Sequence, residues 1–315
     1  MSIDKYARFY KDFISPVYDR LVKQNQKETI ILESQSIPHL LQHIPHPPKK
    51  LFLQGKLPHP EAKILCVVGS RKYSKYGEEV TKKLVMGLKG YNICIVSGLA
   101  LGIDSIAHRT ALETGLHTVA FPGSGLDPSV LYPPRHARLA EEILYAGGAL
   151  ISEFEMHERA ARWMFEKRNR LLAGFSHATL IIEAGLKSGT MITSKYANDY
   201  NRDLAAVPGD IFSPLSEGPH QLIRMGAVPV TSSRDILEML GFELPDEPRV
   251  PIQENLLLSL TENERKIIEY LKVESHTSEE LVRKSELSAR EINEIVSSLE
   301  IQGLVDTSYG KVKLK

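Results

Sequence analysis

Cysteine is scarce in this sequence, and no metal-binding pattern accompanies it. The two cysteines, Cys66 and Cys94, lie in the apolar runs KILCVV and NICIV. A free cysteine in such a run behaves as a small buried hydrophobic residue. Four of the histidines, His108, His117 and His136 with the later His220, show no spacing typical of metal ligands. We therefore expect two buried thiols and no metal site.

Net charge is lacking as well, because 39 basic residues balance 39 acidic ones. Any affinity for nucleic acid must then come from a local basic patch. No apolar run reaches the roughly 18 residues that indicate a membrane span. The opening MSIDKYARFYKDF also lacks the apolar stretch of a signal peptide. The sequence predicts a cytoplasmic protein without a membrane partner.

Nucleotide-binding fingerprints are missing too. The pattern G-x-G-x-x-G does not follow the first predicted strand, and G-x-x-x-x-G-K-[ST] occurs nowhere in the chain. Hydride transfer and P-loop ATP hydrolysis are thus unsupported. Asp104 and Glu183 stand where turn or cap residues belong, and we assign them structural roles. We expect no catalytic residue and no cofactor.

The central part of the chain, residues 63–241, alternates short apolar runs with amphipathic stretches. Continuously apolar runs are typical of strands buried on both faces of a parallel sheet. The rhythm predicts an open α/β sheet with helices on both faces. The predicted strands are Ile64–Val68, Ile93–Val96, Thr118–Phe121, Ala149–Ser152, Thr179–Ile182, Leu204–Val207 and Val228–Val230.

Three further segments flank this predicted domain. Residues 1–62 form an N-terminal extension and lead-in, whose proline-rich part Pro38–Pro48 suits an extended connection. Residues 242–260 read as a proline-containing linker. Residues 261–315 carry three capping boxes, each before an apolar helical stripe, then Gly303 as a helix stop and a short hairpin near Gly310. This order predicts a small winged-helix domain.

Most predicted strands are followed by a loop that contains glycine. Ligands of open α/β sheets bind beyond the carboxyl ends of the strands, where glycine lets backbone N–H groups approach an anion. Several such loops on one rim indicate a phosphate-binding surface, although tight βα turns would give the same pattern. The predicted phosphate-binding residues are Gly69 and Ser70, then Ser97, Gly98 and Gly102, then Gly123.

The strongest nucleic-acid signal is the segment 159–170, RAARWMFEKRNR, which holds five basic residues and one acid. Arginine suits bidentate contact with phosphate, and an aromatic ring can stack on an unpaired base. We assign Trp163 to the core. Phe165 lies three residues from both Arg162 and Arg168. It is interpreted as a stacking ring, with a core position as the alternative.

Eight motifs together resemble the DprA/Smf family of DNA-processing proteins, over roughly residues 37–240. They are the proline-rich approach (Pro38–Pro48), GSR (69–71), SGLALGID (97–104), GSGLD followed by YP (123–133), SEF (152–154), RNRLLAG (168–174), EAGLKSGT (183–190) and AVPG (206–209). The resemblance implies a Rossmann-like domain that binds single-stranded DNA, forms homodimers and helps to load the RecA recombinase in natural transformation. It implies no chemical reaction. The winged-helix tail is similar to the C-terminal domain of some members.

The resemblance also implies roles for individual residues. Arg71 matches the arginine of GSR, which contacts phosphate. Arg162 and Phe165 match a basic residue and an aromatic before the RNR motif, and Arg138 lies where members carry basic contacts. His136 and His220 depart from the family pattern. The remaining implied DNA-binding residues are Arg168, Asn169 and Arg170 of the RNR motif and Ser188, Gly189 and Thr190 of the late glycine loop.

Two other functions remain open at this point. A Rossmann-like phosphoribohydrolase of nucleotide metabolism would share the sheet, but EAGLKSGT lacks the P-G-G-x-G-T of that group. A transcription factor would act through the winged helix. Residues 261–315 carry 9 basic and 11 acidic residues, net −2. A recognition helix from this acidic segment would be repelled by the phosphates of a DNA groove. We interpret the tail as a protein-interaction or regulatory module, with the basic wing, Lys311, Lys313 and Lys315, as the alternative DNA contact.

Overall fold

A computed structural model describes residues 28–244, 260–285, 287–301, 304–308 and 310–314. The chain divides into two compact units at Leu244–Pro245. The proposed linker at 242–260 falls largely outside the described residues, as do Gly303 and Lys315. Each unit is treated by itself below.

The first unit is built on one sheet of nine strands in the order β1-β2-β6-β5-β4-β3-β7-β8-β9. Strands β3 to β9 are parallel to one another, whereas β2 pairs antiparallel with β6, and β1 pairs antiparallel with β2 at one edge. The strands are β1 (Ile30–Glu33), β2 (Lys50–Gly55), β3 (Lys63–Val68), β4 (Ile93–Ser97), β5 (His117–Ala120), β6 (Ala149–Ser152), β7 (Ala178–Ile181), β8 (Asp203–Ala206) and β9 (Val228–Pro229).

Helices cover both faces of this sheet. They are α1 (His39–Gln42), α2 (Lys75–Met86), α3 (Ile103–Thr114), α4 (Ala137–Tyr145), α5 (Arg162–Phe175), α6 (Gly189–Asp199), α7 (Glu217–Arg224) and α8 (Ser233–Met239). The predicted open, mostly parallel α/β sheet is confirmed, and all seven predicted strands are present.

The central strand, β3, shows why a strand with helices on both sides must be apolar along its whole length. On β3, Cys66 and Val68 belong to a core that includes Leu171 of α5, whereas Leu65 and Val67 belong to a second core that includes Ile103 of α3. Successive side chains of a strand point to opposite faces, so both sets must be apolar when helices pack on both sides. Both cysteines are buried free thiols, and burial raises the pKa of each above its ordinary value.

The segment before residue 63 contributes more than a lead-in. Its strand β2 pairs antiparallel with β6, and β1 pairs with β2. Leu51 and Leu53 of β2 are buried in the sheet core, as is Leu41 of α1. The predicted boundary at residue 63 therefore divides the sheet, because β2 pairs with β6, which is distant in sequence, and β1 pairs with β2.

Hydrogen bonds at the helix starts connect the elements. Ser74 precedes α2, and its hydroxyl accepts a hydrogen bond from the Gly77 amide at 3.1 Å. The same hydroxyl donates to the carboxylate of Glu183, at 2.5 Å, in the loop after β7. The structural role predicted for Glu183 is thus confirmed, since it fixes the start of α2 beside the end of β7.

The second unit is a winged helix around its own apolar core. All three predicted capping boxes are formed: Thr261 with Glu264, Thr277 with Glu280, and Ser288 with Glu291. The elements are α9 (Glu262–Val273), α10 (Ser278–Ser285), α11 (Ala289–Ile301), β10 (Val305–Ser308) and β11 (Lys311–Leu314).

Across the described part of the chain, no helix combines the length and apolar character needed to cross a bilayer.

Candidate nucleic-acid interface

A pocket of about 420 Å³ opens at the carboxyl ends of β3 and β7. After β3 the chain adds strands on one side of the sheet, and from β7 onward it adds them on the other. Ligands of open α/β sheets bind at such a reversal of strand order. The lining residues are Val68 to Lys72, Ala100, Asp104, Phe165, Arg168, Asn169, Leu172, Ser188 to Thr190, Thr193 and Leu215.

The loop that follows β4, residues 97–102, closes against the loop that follows β3. Leu99 has a left-handed φ of 56°, and Gly102 has a φ of +87°. A side chain at Gly102 would come within 2.8 Å of the Arg71 Cα atom. Glycine is required here both for its backbone angle and for this close approach. The two loops therefore form one continuous rim.

Buried polar groups hold the 97–102 loop from beneath. The Asp104 carboxylate accepts hydrogen bonds from the amides of Gly98 (3.1 Å) and Ala100 (3.4 Å). The Nδ1 atom of His136 is hydrogen-bonded to the carbonyl of Leu99 at 2.7 Å. Burial raises the pKa of Asp104, against the opposing attraction of Arg168. The turn role predicted for Asp104 is confirmed.

The RNR motif lies mostly inside the protein. Arg168 is 4% exposed, and its Nη1 atom donates to the carbonyl of Phe121. Burial lowers the pKa of Arg168 to about 10, which leaves it charged at neutral pH. Arg170 donates to the carboxylate of Glu153 and, at 2.8 Å, to the carbonyl of His46. Both arginines bond within the protein, and Arg168 also lines the pocket. Their predicted role as DNA contacts stays a prediction.

Arg71 and Phe165 form the accessible part of the pocket. Arg71 is exposed, and its Cζ atom lies 5.1 Å from the centroid of the Phe165 ring. The ring is half-buried, and Tyr132 contacts it edge-on at 5.5 Å between centroids. A side chain at Gly123 would lie 2.5 Å from the ring. Phe165 is therefore neither a fully buried core residue nor a fully exposed ring.

The N-terminal turn of α5 presents further basic and aromatic side chains. Arg162 is exposed and makes no ion pair with another described residue. The expectation that Trp163 belongs to the core is wrong, since 55% of its surface is exposed. Met164 is fully buried in its place. Residues one position apart on a helix point about 100° apart, so burial of Met164 turns Trp163 outward.

The late glycine loop begins α6 and faces the same pocket. Gly189 is exposed, and Thr190 is 9% exposed. The hydroxyl of Ser188 is buried and has no hydrogen-bond partner among the described residues. Asn169 donates a hydrogen bond to the carbonyl of Gly189 at 3.1 Å. Asn169 thus fixes the loop, and the loop offers the N-terminal end of a helix to the pocket.

Not every predicted residue meets at this pocket. Gly69 and Ser70 line it. Ser97 instead donates its hydroxyl to the carbonyl of Val67, and Arg138 lies on α4, where it pairs with Glu142 at 3.0 Å. The sequence analysis missed Tyr132, whose signal was its place in the YP motif.

A family model described as DNA recombination-mediator protein A matches residues 28–241, and a DprA winged helix domain matches residues 253–311. The chain belongs to the DprA/Smf family. It is 40% identical over 230 residues to protein Smf of Escherichia coli, which is 72% of this chain and 61% of that protein. It is 40% identical over 197 residues to DNA processing protein DprA of Streptococcus pneumoniae, covering 62% of this chain and 68% of that protein.

Two solved structures of the family have the same fold. DprA from S. pneumoniae superposes with a TM-score of 0.63 at 36% identity, covering 72% of this chain and 79% of the other. DNA processing protein A from Helicobacter pylori gives a TM-score of 0.59 at 28% identity, covering 68% and 95%. That second structure is described as showing a single-stranded DNA binding mode. The chain spans less than two thirds of two of its relatives, 61% of E. coli Smf and 55% of Synechocystis Smf.

Proposed function

We propose that this protein binds single-stranded DNA along the rim of the β3–β7 pocket and catalyses no reaction. One observation carries the proposal: the exposed guanidinium of Arg71 lies over the half-buried ring of Phe165. A cation beside an aromatic ring suits a phosphate and its neighbouring unpaired base. The H. pylori relative described as binding single strands supports the same ligand.

The phosphate contact would use three kinds of donor. Arg71 supplies a charged fork at the mouth of the pocket, and Arg162 supplies a second on the adjoining turn of α5. Ser188 offers a buried hydroxyl without a partner among the described residues, at the start of α6. Helix N-termini favour anions through their unpaired N–H groups and dipole. These groups differ in kind, yet all suit a phosphate.

Preference for a single strand follows from the aromatic group. Phe165 presents its ring to the pocket, and the ring of Tyr132 contacts it edge-on. Bases in a duplex are already stacked on their neighbours, whereas an unpaired base is free to stack on a ring. We therefore expect weaker binding of duplex DNA, and little dependence on sequence.

The lack of catalysis is supported by how the carboxylates are used. Asp104 accepts from two backbone amides, and Glu183 accepts from the amide and hydroxyl of Ser74. Neither is free to act as a general base towards a bound ligand in this arrangement. No cofactor or metal ion is required for the proposed binding.

The biological setting is proposed from the family. We infer that the protein protects incoming DNA in the cytoplasm, helps to load the RecA recombinase onto it during natural transformation, and acts as a homodimer. The description of the matching family as a recombination mediator supports this role.

The winged helix would serve as a protein-interaction or regulatory module. Its helix α11 carries Arg290, but that guanidinium pairs with Glu294 at 2.9 Å. Glu291 is taken up by the capping box with Ser288. An exposed helix whose arginine is already paired offers little positive charge to a phosphate backbone.

A gel shift with a long unpaired oligonucleotide, run beside a nucleotide-hydrolysis assay, tests the proposal. We expect a shifted complex and no hydrolysis of nucleoside monophosphates or triphosphates. Hydrolysis without a shift would instead identify an enzyme of nucleotide metabolism.

A further inference from the structure

Trp163 is the single tryptophan of the chain, and 55% of its surface is exposed. Its ring is nevertheless held in place. It lies perpendicular to the ring of Phe154, at 85° and 5.7 Å between centroids, and Phe154 is only 3% exposed. A large aromatic side chain held in this way is already oriented for a ligand, and its exposed apolar face would be stabilised by being covered.

The charges around Trp163 favour a nucleic-acid ligand. Arg159 and Arg162 are exposed and make no ion pair with other described residues. Glu153 is already engaged by Lys167 at 3.3 Å and by Arg170. The segment 159–170 then adds only Glu166 as an acid. An anionic strand is thus complementary to this surface.

The position of Trp163 also connects it to the pocket. Residues two apart on a helix point about 200° apart, so Trp163 and Phe165 lie on different sides of the first turn of α5. Phe165 lines the pocket and Trp163 does not. Arg162 lies directly before Trp163 in that turn. A strand with one base at Phe165 can therefore cross the N-terminal turn of α5, with a phosphate at Arg162, and reach the indole.

We infer that Trp163, supported by Phe154, forms a second nucleobase site that stacks an unpaired base of the same strand outside the pocket. This inference rests on the proposed function, which supplies the strand. The ligand is any unpaired base, since stacking on an indole face requires no particular hydrogen-bonding edge.

Because the chain has one tryptophan beside 12 tyrosines, tryptophan emission that is excited selectively over tyrosine reports on this site alone. The full chain is titrated with a labelled oligothymidylate, while strand anisotropy and tryptophan emission are followed in the same samples. We expect emission to be quenched over the same concentration range in which anisotropy rises. Trp163→Ala should lower affinity about 5- to 150-fold, the effect of losing one stacked base. Trp163→Tyr should retain most of the wild-type affinity.

A matched control is Tyr145→Ala, on α4. Tyr145 is similarly exposed, at 53%, but it precedes the amino end of β6, whereas the pocket lies beyond the carboxyl ends of the parallel strands. The Tyr145→Ala variant should bind the strand with the wild-type affinity. Normal anisotropy with unchanged emission in the wild type, and unchanged affinity in Trp163→Ala, would overturn the second site alone. No anisotropy change in the wild type would overturn the proposed function itself.

Discussion

The guanidinium of Arg71 lies over the ring of Phe165, with its Cζ atom 5.1 Å from the ring centroid. The two side chains are far apart in the sequence, one in the loop after β3 and the other in the first turn of α5. A cation over an aromatic face is attracted by the ring quadrupole. The contact positions the charge before any ligand arrives, so less side-chain freedom is lost on binding.

Replacing the exposed arginines tests the charge at this interface. Arg71→Ala and Arg162→Ala should each weaken single-strand binding by roughly 10- to 150-fold, since a charge-assisted hydrogen bond contributes about 1.5–3 kcal/mol. Each should also reduce the slope of log affinity against log salt by about 0.7. Anisotropy titrations between about 50 and 200 mM salt measure both the affinity and its salt dependence. Unchanged binding in the double variant would show that the site lies elsewhere.

Phe165→Ala tests the stacking contribution. Affinity should fall by about 5- to 150-fold while the salt slope stays at its wild-type value, because stacking releases no ion. The ring is half-buried against Gly123 and Tyr132, so thermal unfolding is measured alongside. Phe165→Leu is the matched control, since it keeps apolar bulk without an aromatic face. If Phe165→Leu binds as well as the wild type, the ring serves packing and not stacking.

Arg170→Met tests whether the buried Arg170 of the RNR motif has a structural role. The Arg170 and Glu153 side chains are 9% and 11% exposed, and each is the other's partner. Glu153 keeps a second partner in Lys167, at 3.3 Å, so the loss of stability should fall below the roughly 3–5 kcal/mol that an unpaired buried charge costs. Urea unfolding should show that loss, with DNA affinity unchanged in the folded fraction. Normal stability combined with weak DNA binding would instead make Arg170 a direct contact.

The stability of the first unit should fall as the solution is acidified. His108 is fully buried on α3 beside Thr118, and burial lowers its pKa from 6.5 to about 3. The neutral imidazole is therefore favoured in the folded state, and this contribution is complete above pH 6.5. It is lost between pH 6.5 and 3, at up to about 1.4 kcal/mol per pH unit from this group. Urea unfolding at several pH values should give a shallower dependence for His108→Gln than for the wild type.

The sheet was predictable because burial on both faces requires continuous apolar runs, of which Leu65 to Val68 is an example. The strands β1 and β2 were not predictable, since β2 joins the sheet by pairing with β6, roughly a hundred positions away, and β1 joins it only through β2. The same limit applies to the arginines. Charge predicts exposure, and only the fold brings Glu153 to Arg170 and the carbonyl of Phe121 to Arg168.

The position of Trp163 shows a different limit. The sequence RAARWMFEK offers three neighbouring apolar side chains for one buried position at the start of α5. Helical geometry lets only some of them face the sheet, and the starting residue of the helix decides which. Burial of Met164 leaves Trp163 exposed.

The central claim is tested most directly by comparing one unpaired oligonucleotide with its blunt duplex by fluorescence anisotropy at the same salt concentration. The account predicts tighter binding of the single strand, by at least the 5-fold or so that one stacked base contributes. It also predicts that Arg71→Ala combined with Arg162→Ala removes most of the single-strand affinity. Equal affinity for the single strand and the duplex would contradict it.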